Sequence, residues 1–298
     1  MKTRHILYNP LAGCGNCLDD AGMLDVIYDV TEYRDITKPI DYREYFSLLA
    51  PDDEVIICGG DGTLSRFAND TRDISIRNPI YYFACGRNND FVRDLGLGIN
   101  SEPSFRVNDY LRPLPTVSVN GESRLFINSV GFGLDSFCCP QRSRDSDKRD
   151  SSTACKARLS FAALKALCRD WKPRIATISV DGVSQSFENV WLCSTFHGRY
   201  YCGGIMAAPE QDRLAPDRGI SLLVIHGGGP LAALSLYPAL TRGRHPRRKR
   251  QVSILRGKNI KVEFDSSAPL QVDGECFPSV SRYEARAAEW DYGIKEEK

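Results

Sequence analysis

Long apolar runs are missing from this sequence, and no stretch approaches the length that a helix needs to span a bilayer. The first residues, 1–7, also lack the apolar core of a secretion signal. An excess of one charge is missing too, since 39 Lys and Arg stand against 38 Asp and Glu, for a formal net charge of +1. These absences argue against a membrane-spanning protein and a dedicated nucleic-acid binder, and they predict a cytoplasmic protein.

The cysteines do not form a recognisable framework. Eleven are scattered along the chain, and some, such as Cys58 and Cys193, lie inside predicted strands, which predicts reduced, core-packed thiols. Cys14 and Cys17 form a Cys-x-x-Cys pair, but the chain has no second pair at the spacing of a structural zinc site. Metal or redox use of this pair is therefore not favoured.

Two domains are predicted from the length of 298 residues and an ordinary composition, 42% hydrophobic and 26% charged. Predicted strands and helices alternate over residues 1–115, which indicates an α/β nucleotide-binding domain with a parallel sheet. Short strands with little helix between them follow over residues 116–285, which favours a mainly antiparallel β-sandwich. Residues 286–298 are a segment that can complete the first domain.

A glycine-rich turn organises the first domain. An apolar, β-branched run ends in Gly59-Gly60-Asp61-Gly62-Thr63, after which apolar residues recur at helical spacing. This predicts a strand, a tight loop and a helix start, where backbone N–H groups favour a bound phosphate. A carboxylate at Asp61 would repel phosphates unless a divalent cation lay between them, so the loop predicts a magnesium-nucleotide site. A plain turn capped by Asp61 or Thr63 is the alternative.

Two more polar loops follow predicted strands of the same sheet. Asn9 begins an Asn-Pro turn, where it either binds a phosphate, ties this loop to the glycine-rich turn, or only forms the turn. Gly86, Arg87, Asn89 and Asp90 follow the strand 80–84. Asn89 and Asp90 either contact the nucleotide, brace Asp61 or cap a helix. Because ligands bind beyond the carboxyl ends of parallel strands, we expect these loops at one edge of the sheet.

Near the end of the chain, Asp273 and Glu275 flank a glycine after a predicted strand. Taken alone, this pattern is typical of a hairpin turn. The spacing also lets both carboxylates reach one cleft. The pattern is therefore compatible with a structural turn and with a catalytic pair.

The densest basic run follows a predicted apolar helix at residues 231–240. A basic stretch beside apolar residues fits either an anionic membrane surface or a solvated turn. The run contains Arg242, Arg244, Arg247, Arg248, Lys249 and Arg250.

The loops taken together resemble the diacylglycerol kinase catalytic family, which includes bacterial lipid kinases and sphingosine kinases. The resemblance rests on Asn9-Pro10-x-Ala12-Gly13, Gly59-Gly60-Asp61-Gly62-Thr63, Gly86-x-x-Asn89-Asp90-Phe91 and Asp273-Gly274-Glu275, and it continues in the run that contains Asn128 and Asp135. It implies ATP-dependent transfer of the γ-phosphoryl group to a lipid hydroxyl, with diacylglycerol as the favoured acceptor and phosphatidic acid as the product. The protein would then meet its lipid as a peripheral membrane protein, and an edge strand of the second domain leaves a homodimer open.

The resemblance also implies roles for the site residues. The nucleotide is expected at Asn9, Gly59, Gly60, Asp61, Gly62, Thr63, Gly86, Arg87, Asn89 and Asp90, with Asn9 and Asn89 as loop organisers. Asp61 is expected to join the Mg²⁺ network. Asp273 would accept the proton of the lipid hydroxyl, and Glu275 would either hold Mg²⁺ or orient the acid–base pair.

Departures from the family pattern keep alternatives open. Arg87 stands where a small hydroxyl residue is usual, and His197 where Asn is usual. Asp217-Arg218-Gly219 replaces an Asp-Asp-Gly, which puts a structural metal there in doubt. The Gly-Gly-Asp-Gly motif is shared with NAD kinases, so an NAD kinase-like enzyme and a non-catalytic lipid-binding regulator are the alternatives.

Overall fold

A five-stranded sheet organises the first part of the chain in this computed structural model, which describes residues 3–24, 32–86, 88–97, 103–133 and 171–289. Its strands are β1 (Arg4–Tyr8), β2 (Glu32–Asp35), β3 (Glu54–Gly59), β4 (Ile80–Ala84) and β5 (Phe105–Arg106). They lie in the order β2-β1-β3-β4-β5. The first four are parallel, and β5 pairs antiparallel with β4.

Helices cover both faces of this sheet. They are α1 (Cys17–Gly22), α2 (Tyr42–Leu48), α3 (Asp61–Asp70), α4 (Asp90–Asp94) and α5 (Asn108–Leu111), with a 3-10 turn at Ala12–Gly15. Along β3, Val55 and Ile57 join one apolar cluster, whereas Ile56 and Cys58 join the cluster on the opposite face. This alternation explains why the strand reads as a continuous apolar run, since a parallel sheet is buried on both sides.

A ten-stranded antiparallel sheet follows. Its strands are β6 (Thr116–Val119), β7 (Glu122–Leu125), β8 (Ser129–Gly133), β9 (Arg174–Val180), β10 (Val183–Val190), β11 (Leu192–Phe196), β14 (Ile220–Ile225), β15 (Val252–Gly257), β16 (Asn259–Val272) and β17 (Glu275–Arg286), while β12 (Tyr200–Tyr201) and β13 (Ile205–Met206) form a separate hairpin. The main path is β15-β14-β11-β8-β16-β17-β6-β7. Strand β16 pairs with β8 through residues 270–272 and with β9 through residues 260–264, so one long strand joins two groups of strands.

The fold class is confirmed: a parallel-containing α/β part precedes a large antiparallel part. The change of sheet falls between β5 and β6, and residues 290–298 lie outside the described part. The predicted homodimer stays a prediction, and the ends of the main strand path, β7 and β15, are where a further strand could add.

The predicted helix at 231–240 is two short helices, α6 (Pro230–Ser235) and α7 (Tyr237–Thr241), followed by a 3-10 turn at His245–Arg247. Pro238 explains the break, because proline has no N–H to continue the helical hydrogen bonds. Among the described residues, no helix is both long and apolar enough to cross a membrane.

A disulfide joins Cys17, at the start of α1, to Cys85, directly after β4. The expectation of reduced thiols is therefore wrong for these two cysteines. The fold brings them together because both follow strands that end at the same sheet edge. Cys58 and Cys193 are buried thiols as expected, and burial raises the pKa of both.

Reduction of this disulfide should lower the midpoint of thermal unfolding. The bond spans a sequence separation of 68 residues, and closing a loop of that size stabilises a fold by on the order of 4 kcal/mol. Calorimetry with and without dithiothreitol measures the shift, and thiol titration counts the two sulfurs released. Cys85→Ser should have the low midpoint without reductant, whereas Cys14→Ser, at an exposed cysteine outside the bond, should behave as wild type. An unchanged midpoint with both sulfurs released would contradict this expectation.

Candidate active site

A cleft of about 210 Å³ lies at the carboxyl ends of β3 and β4, lined by residues from both parts of the chain. Seven of the residues predicted from the sequence line it: Gly60, Asp61, Gly62, Gly86, Asn89, Asp90 and Asp273. Asn128, Tyr201 and Cys202 also line the cleft. The structure thus brings two distant parts of the chain together at one site.

Close backbone contact explains the glycines of the glycine-rich turn and of the loop that follows β4. Strand β3 ends at Gly59 and α3 begins at Asp61, so the predicted strand, tight turn and helix start are present. A Cβ on Gly86 would lie 2.5 Å from the Cα of Gly60, and one on Gly59 would meet the side chain of Thr63 at 2.5 Å. These positions leave no room for a side chain, and the start of α3 is open to the cleft as a result.

Asn9, Gly59 and Thr63 lie behind the cleft instead of lining it. The Asn9 amide Nδ2 donates to the Thr63 hydroxyl at 2.8 Å, and Asn9 Oδ1 accepts from the Leu11 N–H at 2.9 Å. Of the three alternatives for Asn9, the structure therefore shows a side chain that ties the first loop to the glycine-rich turn.

Asp61 is held through one of its two carboxylate oxygens. Oδ2 accepts from the backbone N–H groups of Asp90 at 2.8 Å and Phe91 at 3.3 Å, and from Asn128 Nδ2 at 3.2 Å. Oδ1 is buried and has no hydrogen-bond partner among the described residues. Burial raises the pKa of Asp61 to about 7, the Asp90 carboxylate raises it too, and the N–H donors and Arg213 oppose this shift.

The third loop braces Asp61 and contacts the β12–β13 hairpin. Asn89 takes the N-cap position of α4 in a left-handed conformation, with φ of 47°, but makes no side-chain capping bond. Asp61 supplies that function by accepting the first N–H groups of the helix. Asn89 Nδ2 donates to the Ala84 carbonyl at 3.3 Å, and Asp90 Oδ2 accepts from the Gly203 N–H at 2.8 Å.

Asp273 lies in the two-residue turn between β16 and β17, where it and Gly274 have positive φ. Its carboxylate points toward α3 and residues 127–129. Oδ2 accepts from the Ser65 hydroxyl and the Ile127 N–H, both at 2.7 Å. Oδ1 accepts from the N–H groups of Asn128 at 2.8 Å and Ser129 at 3.1 Å. Burial raises the pKa of Asp273, and these four hydrogen bonds work against that rise.

The structure does not bring Glu275 into the cleft. Its exposed side chain forms an ion pair with Arg124 at 2.5 Å. Two further predicted residues, Arg87 and Asp135, lie outside the described residues.

The structure shows what surrounds the side chains at two positions that depart from the family pattern. His197 is buried, and burial together with the charges of Arg213 and Arg218 lowers its pKa well below the usual value, so the ring is neutral. Asp217 forms an ion pair with Arg256 at 2.6 Å. A cationic side chain therefore already neutralises the carboxylate at the position where a structural metal was in doubt.

Sequence reasoning missed Ser65 and Arg213. Ser65 lies on α3, two residues after the glycine-rich turn, and only its contact with Asp273 marks it. Arg213 is a lone arginine in a polar loop, yet it is 4% exposed and bonds to Asp94 and Asn128. Neither has a sequence signal, because both roles depend on partners far away along the chain.

Two family models match the chain. One, described as "Diacylglycerol kinase catalytic domain", matches residues 4–112, and the other, "YegS C-terminal NAD kinase beta sandwich-like domain", matches residues 128–286. The chain is 22% identical over 233 residues to "Putative lipid kinase YtlR" of Bacillus subtilis (strain 168), with 74% of this chain and 73% of that protein covered. It is 29% identical over 149 residues to "Diacylglycerol kinase" of the same strain, with 45% and 46% covered.

A solved structure shares the fold. The crystal structure described as "a putative diacylglycerol kinase from Bacillus anthracis str. Sterne" superposes with a TM-score of 0.64 at 21% identity. The match covers 96% of this chain and 93% of that one. The arrangement of the two sheets is therefore common to both proteins.

The raised pKa of Asp61 predicts how stability depends on pH. In the folded chain this carboxyl group keeps its proton up to about pH 7, whereas in the unfolded chain it loses the proton near its ordinary value of 3.8. Between these values the free energy of unfolding should fall as pH rises, by up to about 1.4 kcal/mol per pH unit from this group. Urea unfolding from pH 4.5 to 7.5 in EDTA measures the slope.

Asp61→Asn should lack this contribution and should be more stable than wild type at pH 7 without divalent cations. Asp52→Asn removes an exposed carboxylate and should keep the wild-type slope. An Asp61→Asn variant with the wild-type slope would show that Asp61 is not the group responsible.

Proposed function

The chain belongs to the diacylglycerol kinase catalytic family, and we propose that it is an ATP-dependent lipid kinase that transfers the γ-phosphoryl group to a lipid hydroxyl. We favour diacylglycerol as the acceptor, with phosphatidic acid as the product. The observation that carries the proposal is the cleft itself, in which Asp273, from the far end of the chain, meets the glycine-lined start of α3. This arrangement would bring a phosphoryl donor and a base into one site.

The nucleotide phosphates would lie against the start of α3. Gly60, Gly62 and Gly86 line the cleft without side chains, so backbone N–H groups can approach an anion closely. The N-terminus of this ten-residue helix adds a favourable partial positive charge. Phosphoryl transfer depends mainly on such positioning and charge neutralisation, which is what this part of the cleft offers.

The carboxylate oxygens at the cleft also fit Mg²⁺. The buried Asp61 Oδ1, without a hydrogen-bond partner among the described residues, is a ready oxygen ligand. The Asp90 carboxylate is close enough to raise the pKa of Asp61, so a cation near both would relieve their repulsion. Bound Mg²⁺ would neutralise charge on the phosphates.

The proposed Mg²⁺ site would have only two protein carboxylates. Within the described ranges there is no cluster of three or more His, Cys, Asp or Glu residues able to hold a metal. Mg²⁺ in kinase sites is usually held by one or two carboxylates together with phosphate oxygens and water. We therefore assign Asp61 and Asp90 to the Mg²⁺ site and leave out Glu275, which lies outside the cleft.

Asp273 is the residue that we propose as the proton acceptor. Its raised pKa favours proton uptake, and its four hydrogen bonds fix its direction. Three of these donors are rigid backbone N–H groups, whereas the Ser65 hydroxyl can rotate. Rotation of Ser65 would free a lone pair on Oδ2 for the proton of the lipid hydroxyl.

Labelled ATP incubated with a total lipid extract and Mg²⁺ tests the proposal, followed by identification of the labelled lipid. Asp273→Asn should form no labelled lipid and still bind ATP, because the substitution removes the base and keeps the shape of the side chain. Ser65→Ala is the matched control, since it removes a donor to the same carboxylate and should retain turnover. Circular dichroism checks that both variants fold.

Other outcomes would overturn the proposal. Phosphorylation of NAD but of no lipid would identify an NAD kinase-like enzyme. Lipid binding without phosphorylation of lipid or NAD under any divalent metal would identify a non-catalytic binding protein. Wild-type turnover in Asp273→Asn would remove Asp273 from its role.

We also propose that the basic run faces an anionic membrane. All six cations are exposed, and none forms an ion pair with another residue in the described ranges. Exposed Leu231 and Tyr237 lie on the helices just before them. Exposed cations beside apolar side chains are the combination that binds an anionic bilayer surface.

The position of this segment supports the same assignment. The buried His245 bonds to the Ala207 carbonyl at 2.9 Å, and Gly243 lies against Met206, so the segment packs on the β12–β13 hairpin. Tyr201 and Cys202 of that hairpin line the cleft. A membrane bound at the basic run would therefore lie near the cleft in which we propose that the lipid is phosphorylated.

Arg247→Glu combined with Arg248→Glu should weaken binding to vesicles that contain phosphatidylserine by at least about tenfold, because each cation near an anionic surface contributes about 1 kcal/mol. Sedimentation with vesicles measures the change, and added salt should weaken wild-type binding. Arg43→Glu combined with Arg77→Glu changes the net charge equally at exposed positions of the first domain. Equal losses in the two double variants would mean that the basic run has no special role.

A further inference from the structure

Arg213 lies buried between the two sheets and contacts the cleft through a second residue. Its Nε donates to Asp94 Oδ2, its Nη1 to the Ile127 carbonyl, and its Nη2 to Asn128 Oδ1 at 2.5 Å. The guanidinium also lies over the ring of Phe91, with 4.9 Å to the ring centre. Each of these partners is fixed by the fold, so the position of the guanidinium is fixed as well.

The chemistry of the amide makes Asn128 depend on Arg213. A guanidinium can only donate hydrogen bonds, so the Asn128 oxygen must face Arg213. The Asn128 Nδ2 must then face the opposite way, where it donates to Asp61 Oδ2 at 3.2 Å. A flipped amide would set its oxygen against the Asp61 carboxylate and its NH₂ against the guanidinium. Both contacts would be repulsive.

The contacts close a ring through both parts of the chain. Asp61 accepts the first N–H groups of α4, and Asp94 at the end of α4 binds Arg213. Arg213 orients Asn128, and Asn128 returns to Asp61. With three donors on Oδ2, the carboxylate of Asp61 cannot rotate, and Oδ1 stays directed away from those donors.

We propose that Arg213 is a positioning residue for the metal-nucleotide site, acting through the orientation of the Asn128 amide on Asp61. The inference rests on the proposed function and adds a residue to it. Arginine is required because its planar fork reaches three acceptors at once, whereas a lysine ammonium cannot keep the same three contacts. Arg213 itself does not contact the nucleotide.

Arg199 provides a control inside the same cluster. It donates to Asp94 Oδ1 at 2.8 Å, so it shares the carboxylate that Arg213 binds. Its side-chain hydrogen bonds among the described residues go to Asp94 and not to Asn128, and its side chain is 37% exposed. If both arginines only stabilise the fold through Asp94, Arg199→Met and Arg213→Met should have similar effects on the Kd for ATP. A positioning role for Arg213 predicts a larger effect of Arg213→Met on this Kd.

The test is a double-mutant cycle on the full chain, with Arg213→Met, Arg199→Met and Asn128→Ala alone and each arginine change combined with Asn128→Ala. Calorimetry gives the Kd for ATP in the presence of Mg²⁺, and thermal unfolding gives the stability of every variant. We expect Arg213→Met to raise this Kd by about tenfold or more, because the Asn128 amide loses the charged partner that orients it on Asp61. Arg199→Met should lower the unfolding midpoint and change the Kd by less than about twofold.

The double variant of Arg213→Met with Asn128→Ala shows whether Arg213 acts through Asn128. In the Asn128→Ala background, Arg213→Met should not raise the Kd further, since the amide that it orients is gone. Additive effects on the Kd, or equal effects of Arg199→Met and Arg213→Met, would overturn the positioning role. If Arg213→Met does not fold, Arg213→Lys takes its place in the cycle under the same criteria. Wild-type protein that binds no ATP with Mg²⁺ would contradict the proposed function and this inference together.

Discussion

Burial of carboxylates between the two sheets is the constraint on which the rest of this structure depends. Removing a carboxylate from water costs several kcal/mol unless donors surround it. Asp273 takes its donors from α3 and from residues 127–129, Asp61 takes one from Asn128, and Asp94 takes its donors from Arg199 and Arg213. Separating the two parts of the chain would leave Asp61 without Asn128, Asp94 without both arginines and Asp273 without the Ser65 hydroxyl. The same contacts that form the cleft therefore hold its two sides together.

Residues 127–129 are the shared element in these contacts. Their N–H groups bind Asp273, the Asn128 side chain joins Asp61 to Arg213, and the Asn128 carbonyl accepts from the His197 N–H at 2.9 Å. One short segment thus sets the distance between the proposed metal ligand and the proposed base. A kinase needs that distance fixed, since phosphoryl transfer is limited by how donor and acceptor are placed.

Local signals were enough to predict most of the first domain and the second sheet in outline. The apolar run before Gly59 and the strand at 80–84 have the predicted type and position, because each depends on its own residues and their burial. Predictions that merged neighbouring elements were less accurate. The single helix predicted at 231–240 is two helices, α6 and α7, because Pro238 cannot continue the helical hydrogen bonds.

The features of the site that the sequence did not predict depend on contacts between residues that are far apart along the chain. The disulfide joins cysteines 68 residues apart, and its formation depends on two strands ending at the same edge. Arg213 and Ser65 have roles only because Asp94, Asn128 and Asp273 lie within hydrogen-bonding distance. A motif records residues that are close in sequence, and none of these pairs is.

Asp273 and Glu275, the two carboxylates of the last turn, differ in how firmly the fold holds their side chains. This difference decides which of them can act as the motif suggests. Asp273 and Glu275 are adjacent to the same glycine, and their spacing suggested a pair acting in one cleft. Asp273 lines the cleft and accepts four hydrogen bonds from neighbouring residues, so its direction is fixed by the fold. Glu275 has an ion pair with 67% of its side chain exposed, a contact that contributes at most about 1 kcal/mol. The fold therefore specifies the place of Asp273, whereas the place of Glu275 is held only by a weak surface contact.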